Sequence, residues 1–324
     1  MIIDGRTYKV VDVYDLSVTV PDSYVVPANK TCRGNGEAKL YMGSKDHMRE
    51  FFTGASEKAG FEVECVIMKD DLLKYMETIK HEYTHPSIKY RGICKKGNMF
   101  PLWRSRLDMI NKLPSVLKFV VKDQDQIEGN RGYVKTTSSA LKGGYGIIRN
   151  ISLPFVSYIS VMKLLDEEKE EYLFYWKLFT DFTQMAEQQY AAKNYGKKIK
   201  SKIKGTKRDG QTKYRQDLYA LFGHCPFTQI DDAKLLIASH IKPWSISEPK
   251  EKIDSNNGLL LSPLYDKLFD RGLISFDNNG MLIVSDWLST ANRKRIDFSY
   301  KVEDLHLTPK RQSYLEYHRK YVLK

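Results

Sequence analysis

Cysteine is scarce in this 324-residue chain, and what there is lies scattered. Cys32, Cys65, Cys94 and Cys225 form no C-x-x-C pair, which excludes a thiolate zinc knuckle and a disulfide framework. Long apolar runs are also missing. No stretch approaches the roughly 18 to 20 residues that a bilayer-spanning helix needs. At the start, MIIDGRTYKV, Asp4 and Arg6 stand where a secretory signal would need its apolar core. A secreted or membrane protein is therefore disfavoured, and a reducing cytoplasm fits. Disorder is disfavoured too, because 42% of the residues are apolar.

Acidic charge is in deficit, and unevenly so. The net charge is +12. Residues 191–324 hold 25 Lys and Arg against 15 Asp and Glu, whereas residues 1–190 hold 27 against 25. A basic half beside a near-neutral half points to a polyanionic partner, with nucleic acid first. An acidic membrane surface fits less well, since no basic helix has a clean apolar face. The densest run, AAKNYGKKIKSKIKGTKRDG (191–210), carries eight Lys and Arg and one Asp. It reads either as a solvated linker or as a tether whose Lys197, Lys198 and Lys200 track phosphates.

Pattern and turn residues suggest the elements. YKVVDVY (8–14), FEVECVIM (61–68) and SVLKFVV (115–121) read as strands. Residues 45–60 and 70–83 read as helices, and a long helix is expected from Val161 to Tyr190 with a stripe of Leu165, Leu173, Trp176, Phe179 and Phe182. EGNRGYVKTTSSALKGGYGIIRN (128–150) reads as a loop. Its Arg131 and Arg149 are either solvated charges or DNA contacts. In GLISFDNNGMLIVSD (272–286), Asn279-Gly280 between apolar runs predicts a hairpin. Residues 308–324 read as a basic closing helix.

One short motif invites a strong reading. HEYTH (81–85) matches the His-Glu-x-x-His pattern of zinc proteases. Pro86 follows directly and pushes His85 to or beyond the helix end, so the geometry that would point both imidazoles at one zinc depends on the last, fraying turn. A charged helix end is the better reading.

The chemistry concentrates in residues 225–276. KLLIASHI reads as a strand ending on a histidine, with a turn at Lys242-Pro243. NNGLLLSP is a short strand opened by asparagine, and LYDKLFDRG is a short helix closed by Gly272. Asp266 and Asp270 are four apart and share a helix face. Carboxylates suit Mg²⁺ or Mn²⁺, and a histidine that is not a ligand can act as a base.

This arrangement resembles the HNH nucleases of the ββα-metal fold, in particular their restriction-endonuclease branch. The residues that carry the likeness are Ser239-His240-Ile241-Lys242-Pro243, Asn257-Gly258-Leu259-Leu260-Leu261, and Asp266 with Leu268-Phe269-Asp270-Arg271-Gly272. Gly210-Gln211, Arg215 and Cys225-Pro226-Phe227-Thr228 match the lead-in. The likeness spans about residues 208–290, and none is seen for 1–190. It implies His240 as the base that activates water, and Asn257 as the residue that fixes the histidine's loop. It also implies Asp266 as a ligand of one Mg²⁺ or Mn²⁺, with Asp270 and Ser239 as further ligands. Lys242 and Lys267 would hold phosphate oxygens. Ser239 stands where many members have a ligating Asp or His, and Tyr265 stands where a third histidine is common.

The expectation is thus an α+β protein. A mixed α/β DNA-recognition domain (1–190) and a basic linker (191–208) would precede an HNH nuclease domain (209–324). It would cut double-stranded DNA to 5′-phosphate and 3′-hydroxyl ends as a cytoplasmic restriction endonuclease, as a homodimer if its site is palindromic. The alternatives are a DNA-binding protein with an inactive HNH fold, and a homing or toxin nuclease.

Overall fold

The computed structural model describes residues 1–14, 18–20, 39–87, 90, 99–124, 129–136, 143–194, 211–299, 302 and 305–324. Lys197, Lys198 and Lys200, with the rest of the basic run from 195 to 210, lie outside the described residues, as do Cys32 and Cys94. The chain forms two compact units, Met1–Met185 and Ala186–Lys324, each combining helices with antiparallel strands, so the fold is α+β. No helix among the described residues is long and apolar enough to cross a membrane.

The first unit is built on an eight-stranded sheet. Its strands are β3 (Lys9–Val13), β4 (Val18–Thr19), β5 (Leu40–Ser44), β6 (Glu62–Met68), β7 (Val116–Asp123), β8 (Arg131–Lys135), β9 (Ser157–Asp166) and β10 (Glu171–Thr180). A small hairpin, β1 (Ile2–Ile3) and β2 (Arg6–Thr7), precedes them. The spatial order is β3-β9-β10-β6-β7-β8-β5, with β4 also beside β9 and only β6–β10 parallel among the described pairs. The sheet curls far enough that the Tyr14 hydroxyl donates to the Met42 carbonyl of β5. Helix α1 (Lys45–Thr53) packs Met48 and Phe52 into the buried face, where Phe52 meets Phe61 and Phe174. Beneath it Arg49 pairs with Asp123 at 2.9 Å, both buried. Helices α2 (Lys69–Thr84), α3 (Phe100–Asn111) and α4 (Gly144–Ile151) complete the unit.

Three sequence expectations fail here. The long helix over 161–190 is instead the hairpin β9–β10, followed by α5 (Phe182–Asn194). All but one residue of β9 is buried, so apolar side chains on both faces hide the period of two. The loop over 128–150 contains β8 and α4. Arg149 is buried inside α4 and is not presented on a surface loop, whereas Arg131 is exposed on β8. The helix expected over 45–60 stops at Thr53, because Gly54 turns left-handed with φ 81°.

The second unit starts within α5 and continues through α6 (Gln211–Phe222), β11 (Ile237–His240), β12 (Gly258–Leu261), α7 (Pro263–Asp270), β13 (Ile274–Phe276), β14 (Leu282–Val284), α8 (Thr290–Arg295) and α9 (Pro309–Tyr321). The expected hairpin is β13–β14, with Gly280 at φ 79° in its turn. Its core joins Tyr214, Leu218 and Phe222 of α6 to Leu259, Leu260 and Leu261 of β12 and Leu315 of α9. Gly272 closes α7 at φ 63°, where a Cβ would meet the Val322 carbonyl at 2.0 Å. Only glycine lets the end of α9 pack there.

His318 of α9 is buried against Phe269, with ring centroids 3.9 Å apart and planes at 6°. Its Nε2 donates to the Phe269 carbonyl at 3.1 Å, so its Nδ1 accepts from the Ser275 hydroxyl at 2.9 Å. Burial drives its pKa down to about 3, aided by Arg319 and opposed by the Phe269 carbonyl. The imidazole is therefore neutral in the fold but protonates near 6.5 once unfolded. Its stabilising share is full above pH 6.5 and is lost as pH falls from there towards 3, at roughly 1.4 kcal/mol per pH unit. Denaturant unfolding of the full chain at pH 7 and pH 5 should show this loss, and His318→Gln should flatten it.

Candidate active site

Strands β11 and β12 pair antiparallel, placing His240 opposite Gly258 and Ser239 opposite Leu259. Pro243 ends the first strand, and the chain then makes a loop to Asn257 through three short 3-10 turns. Asn257 is fully buried. Its Oδ1 accepts from the Lys242 N–H at 2.7 Å, while Nδ2 donates to the Glu251 carbonyl at 3.1 Å and, at a longer 3.4 Å, reaches the Ser247 hydroxyl. One amide thus bonds the start, middle and end of the loop. An aspartate could accept but not donate.

His240 is held from two sides. Its Nε2 lies 3.1 Å from the Lys252 carbonyl. A carbonyl only accepts, so Nε2 carries the hydrogen and, in the neutral ring, the basic lone pair is on Nδ1. The ring stacks on Tyr214 of α6, with centroids 4.4 Å apart and planes at 17°. The Tyr214 hydroxyl shares its one hydrogen between the carbonyls of Ser239 and Asn257, at 3.1 and 3.0 Å, joining both strands behind the histidine. A Cβ at residue 258 would meet that hydroxyl at 2.2 Å, which is why the strand opens with glycine.

Helix α7 packs on β11 and brings Asp266 beside Ser239, the residue before His240. Asp266 is half-buried, and desolvation raises its pKa above the ordinary carboxylate value; Ser239 and Lys267 oppose the rise. The Ser239 hydroxyl is close enough to act on this carboxylate, but it is buried and meets no hydrogen-bond geometry. An under-satisfied hydroxyl beside a desolvated carboxylate is a donor set that a hard divalent cation would relieve. Among the described residues no three His, Cys, Asp or Glu side chains converge on one point.

The other named residues divide. Asp270 and Lys267 are exposed on α7. Lys242 is engaged within its own loop, at 2.6 Å from Glu251, and lies 5.3 Å from the centre of the Tyr317 ring. Tyr265 is core: it is buried, stacks on Phe227 at 4.2 Å, and donates to the Asp297 carbonyl. Cys225 is also buried, with its thiol 3.6 Å from the Ser262 hydroxyl.

In HEYTH the His81 and His85 rings lie close together, with centroids 5.3 Å apart, but among the described residues they belong to no cluster of three His, Cys, Asp or Glu side chains. His85 is the cap beyond α2, at φ −134°, and its Nδ1 lies 3.0 Å from the Thr84 hydroxyl. Glu82 points inward, accepting from Ser87 and from the Tyr90 hydroxyl at 2.8 Å.

Two contributions escaped the sequence. Tyr214 is one; its i, i+4, i+8 spacing with Leu218 and Phe222 signals an inward face but not the histidine above it. Helix α9 is the other. Arg311, itself buried, donates to the Ser255 carbonyl at 2.8 Å, and Lys310 and the Tyr314 hydroxyl reach Asp254 at 2.7 and 3.0 Å. Together they pin the end of the loop just before Asn257.

Residues 225–277 match the family model described as HNH endonuclease. The match runs from Cys225 through β11, β12, α7 and β13, so the second unit carries an HNH endonuclease domain. No curated protein matches the chain.

The shared hydrogen bond from Tyr214 is buried and gives a direct test. Tyr214→Phe keeps the ring stack but removes this bond, and it should destabilise the second unit by about 1–3 kcal/mol. Chemical denaturation of the full chain measures the loss. Tyr214→Leu, which also removes the stack, should lose more.

Proposed function

We propose that the chain is a divalent-metal-dependent endonuclease of restriction type, acting on double-stranded DNA. The observation that carries this reading is His240, with Nε2 tied to the Lys252 carbonyl and its ring stacked on Tyr214, next in sequence to the Ser239 hydroxyl beside Asp266. A histidine fixed in this tautomer keeps Nδ1 as a base.

In the proposed reaction Nδ1 of His240 takes a proton from water as the water oxygen attacks phosphorus in line. The bond from phosphorus to the 3′ oxygen breaks, and that oxygen leaves with the bonding pair and takes a proton from solvent water. The ends are a 5′-phosphate and a 3′-hydroxyl. Asn257 keeps the loop, and so the imidazole, in place. Asp266 would hold Mg²⁺ or Mn²⁺, with Ser239 and Asp270 as lesser contributors. The bound cation would supply charge stabilisation for the leaving oxygen. Lys267 would bind phosphate, and the basic run from 191 to 208 would tether the duplex.

The first unit would recognise DNA, because cutting by a restriction enzyme must be tied to reading a sequence or a modification. A palindromic site would call for a homodimer, and the cytoplasm is where such an enzyme would act. A second reading, an inactive fold that only binds DNA, draws on Ser239 and Tyr265 replacing residues that commonly ligate metal. The core position of Tyr265 removes it from any metal shell.

Two experiments test the active reading. His240→Ala should lower cleavage about 10²–10⁴-fold and leave DNA affinity unchanged; cleavage at the wild-type rate would overturn it. In a Mg²⁺ titration of cleavage, Asp266→Ala should lose more activity than Asp270→Ala, in keeping with a half-buried carboxylate against an exposed one. The reverse order would reject the assignment of Asp266 as the main ligand.

A further inference from the structure

We propose that the outer face of the β5–β8 ribbon in the first unit is a docking surface for double-stranded DNA. The proposal rests on reading the chain as a DNA endonuclease and names the part of it that takes hold of the duplex. Strand alternation sets the face. Leu40 and Met42 of β5 and Gly132 and Val134 of β8 turn inward, and a Cβ on Gly132 would touch Met48 of α1 at 3.0 Å. Tyr41, Arg131, Tyr133 and Lys135 therefore turn outward. Tyr41 and Tyr133 pair across the ribbon, with ring centroids 5.3 Å apart, and Tyr41 is 46% exposed. The Lys39 ammonium sits 4.7 Å above the Tyr133 ring.

The sequences of these strands, LYMGS and RGYVK, contain no acidic residue. Two tyrosines and three cations therefore face out without a carboxylate on either strand. Further along the sheet the balance changes. Lys122 of β7 is paired with Glu62, and a cavity of about 410 Å³ beside β6 and β10 carries Asp4, Glu64, Asp166 and Glu171 against three cations. A polyanion is repelled there and favoured on the ribbon.

Size agrees with charge. Arg131 and Lys135 lie four residues apart on an extended strand, about 13 Å. The major groove is about 12 Å wide and admits a two-stranded ribbon. The two cations can thus reach phosphates on both rims, with the tyrosine hydroxyls directed at the groove between them.

The test measures binding of the full chain to a duplex in Ca²⁺ over a range of salt. Combining Lys39→Gln, Arg131→Gln and Lys135→Gln should weaken binding on the order of tenfold, and should make the slope of log K against log salt shallower by up to about 2.7. Tyr41→Ser with Tyr133→Ser should weaken binding but leave the slope unchanged, because those contacts release no counterions. Circular dichroism confirms that each variant is folded, and these outward side chains leave the buried face intact. Wild-type affinity and slope in the triple variant would overturn the proposal. So would a loss confined to single-stranded DNA of the same sequence. His240→Ala keeps the two readings apart. If it abolishes cleavage while the triple variant binds normally, the surface is wrong and the nuclease stands. If it cleaves normally while the triple variant fails to bind, the surface stands and the site is wrong.

Discussion

The candidate site depends on one buried amide. A loop of sixteen residues separates His240 from Asn257, and loops of that length do not hold a side chain still by themselves. Asn257 removes the freedom by bonding to Lys242, Ser247 and Glu251 at once. Those bonds are made in a fully buried position, where water cannot compete for them. The geometry of His240 follows, because its Nε2 bonds to Lys252, the residue after the Glu251 carbonyl that Asn257 secures. A rigid imidazole is thus obtained from a polar network and not from a regular element.

Two helices complete this network from opposite ends of the second unit's sequence. Tyr214 comes before the loop and ties the strands behind it; Arg311, Lys310 and Tyr314 come after it and grip residues 254 and 255. The charge on Arg311 is buried, but backbone carbonyls of Leu305, His306 and Ser255 receive it. Such a group is costly to bury unless it is well bonded, so it specifies one packing of α9 and disfavours others. The family match begins at Cys225 and ends at residue 277, and both supports lie outside it.

Much of the site was legible in the sequence because its elements are short and strongly punctuated. Lys242-Pro243 ends one strand, Asn257-Gly258 opens the next, and Gly272 closes the helix, each for a local steric reason. The α+β class and the hairpin at Asn279-Gly280 were legible in the same way. The first unit was harder. Strand β9 is apolar on both faces, so it lacks the alternation that separates strand from helix. Arg149 looked like a surface cation because charge alone does not reveal that an eight-residue helix buries it. The Lys242 contact with Glu251, nine residues away, is likewise made only by the folded loop. Contacts between distant positions, such as Tyr214 with His240, leave no local pattern at all.

The grip of α9 on the loop also sets an order of events during synthesis. Arg311 meets Ser255 across 56 residues, and Tyr314 meets Asp254 across 60. Chains emerge from the ribosome amino end first, so the two strands and the histidine exist before the helix that clamps their loop. Until that helix docks, residues 254 to 257 lack their outer anchor, and the imidazole is not yet held in its working position. A nascent chain therefore carries all the chemical groups of the site without their alignment until α9 has folded.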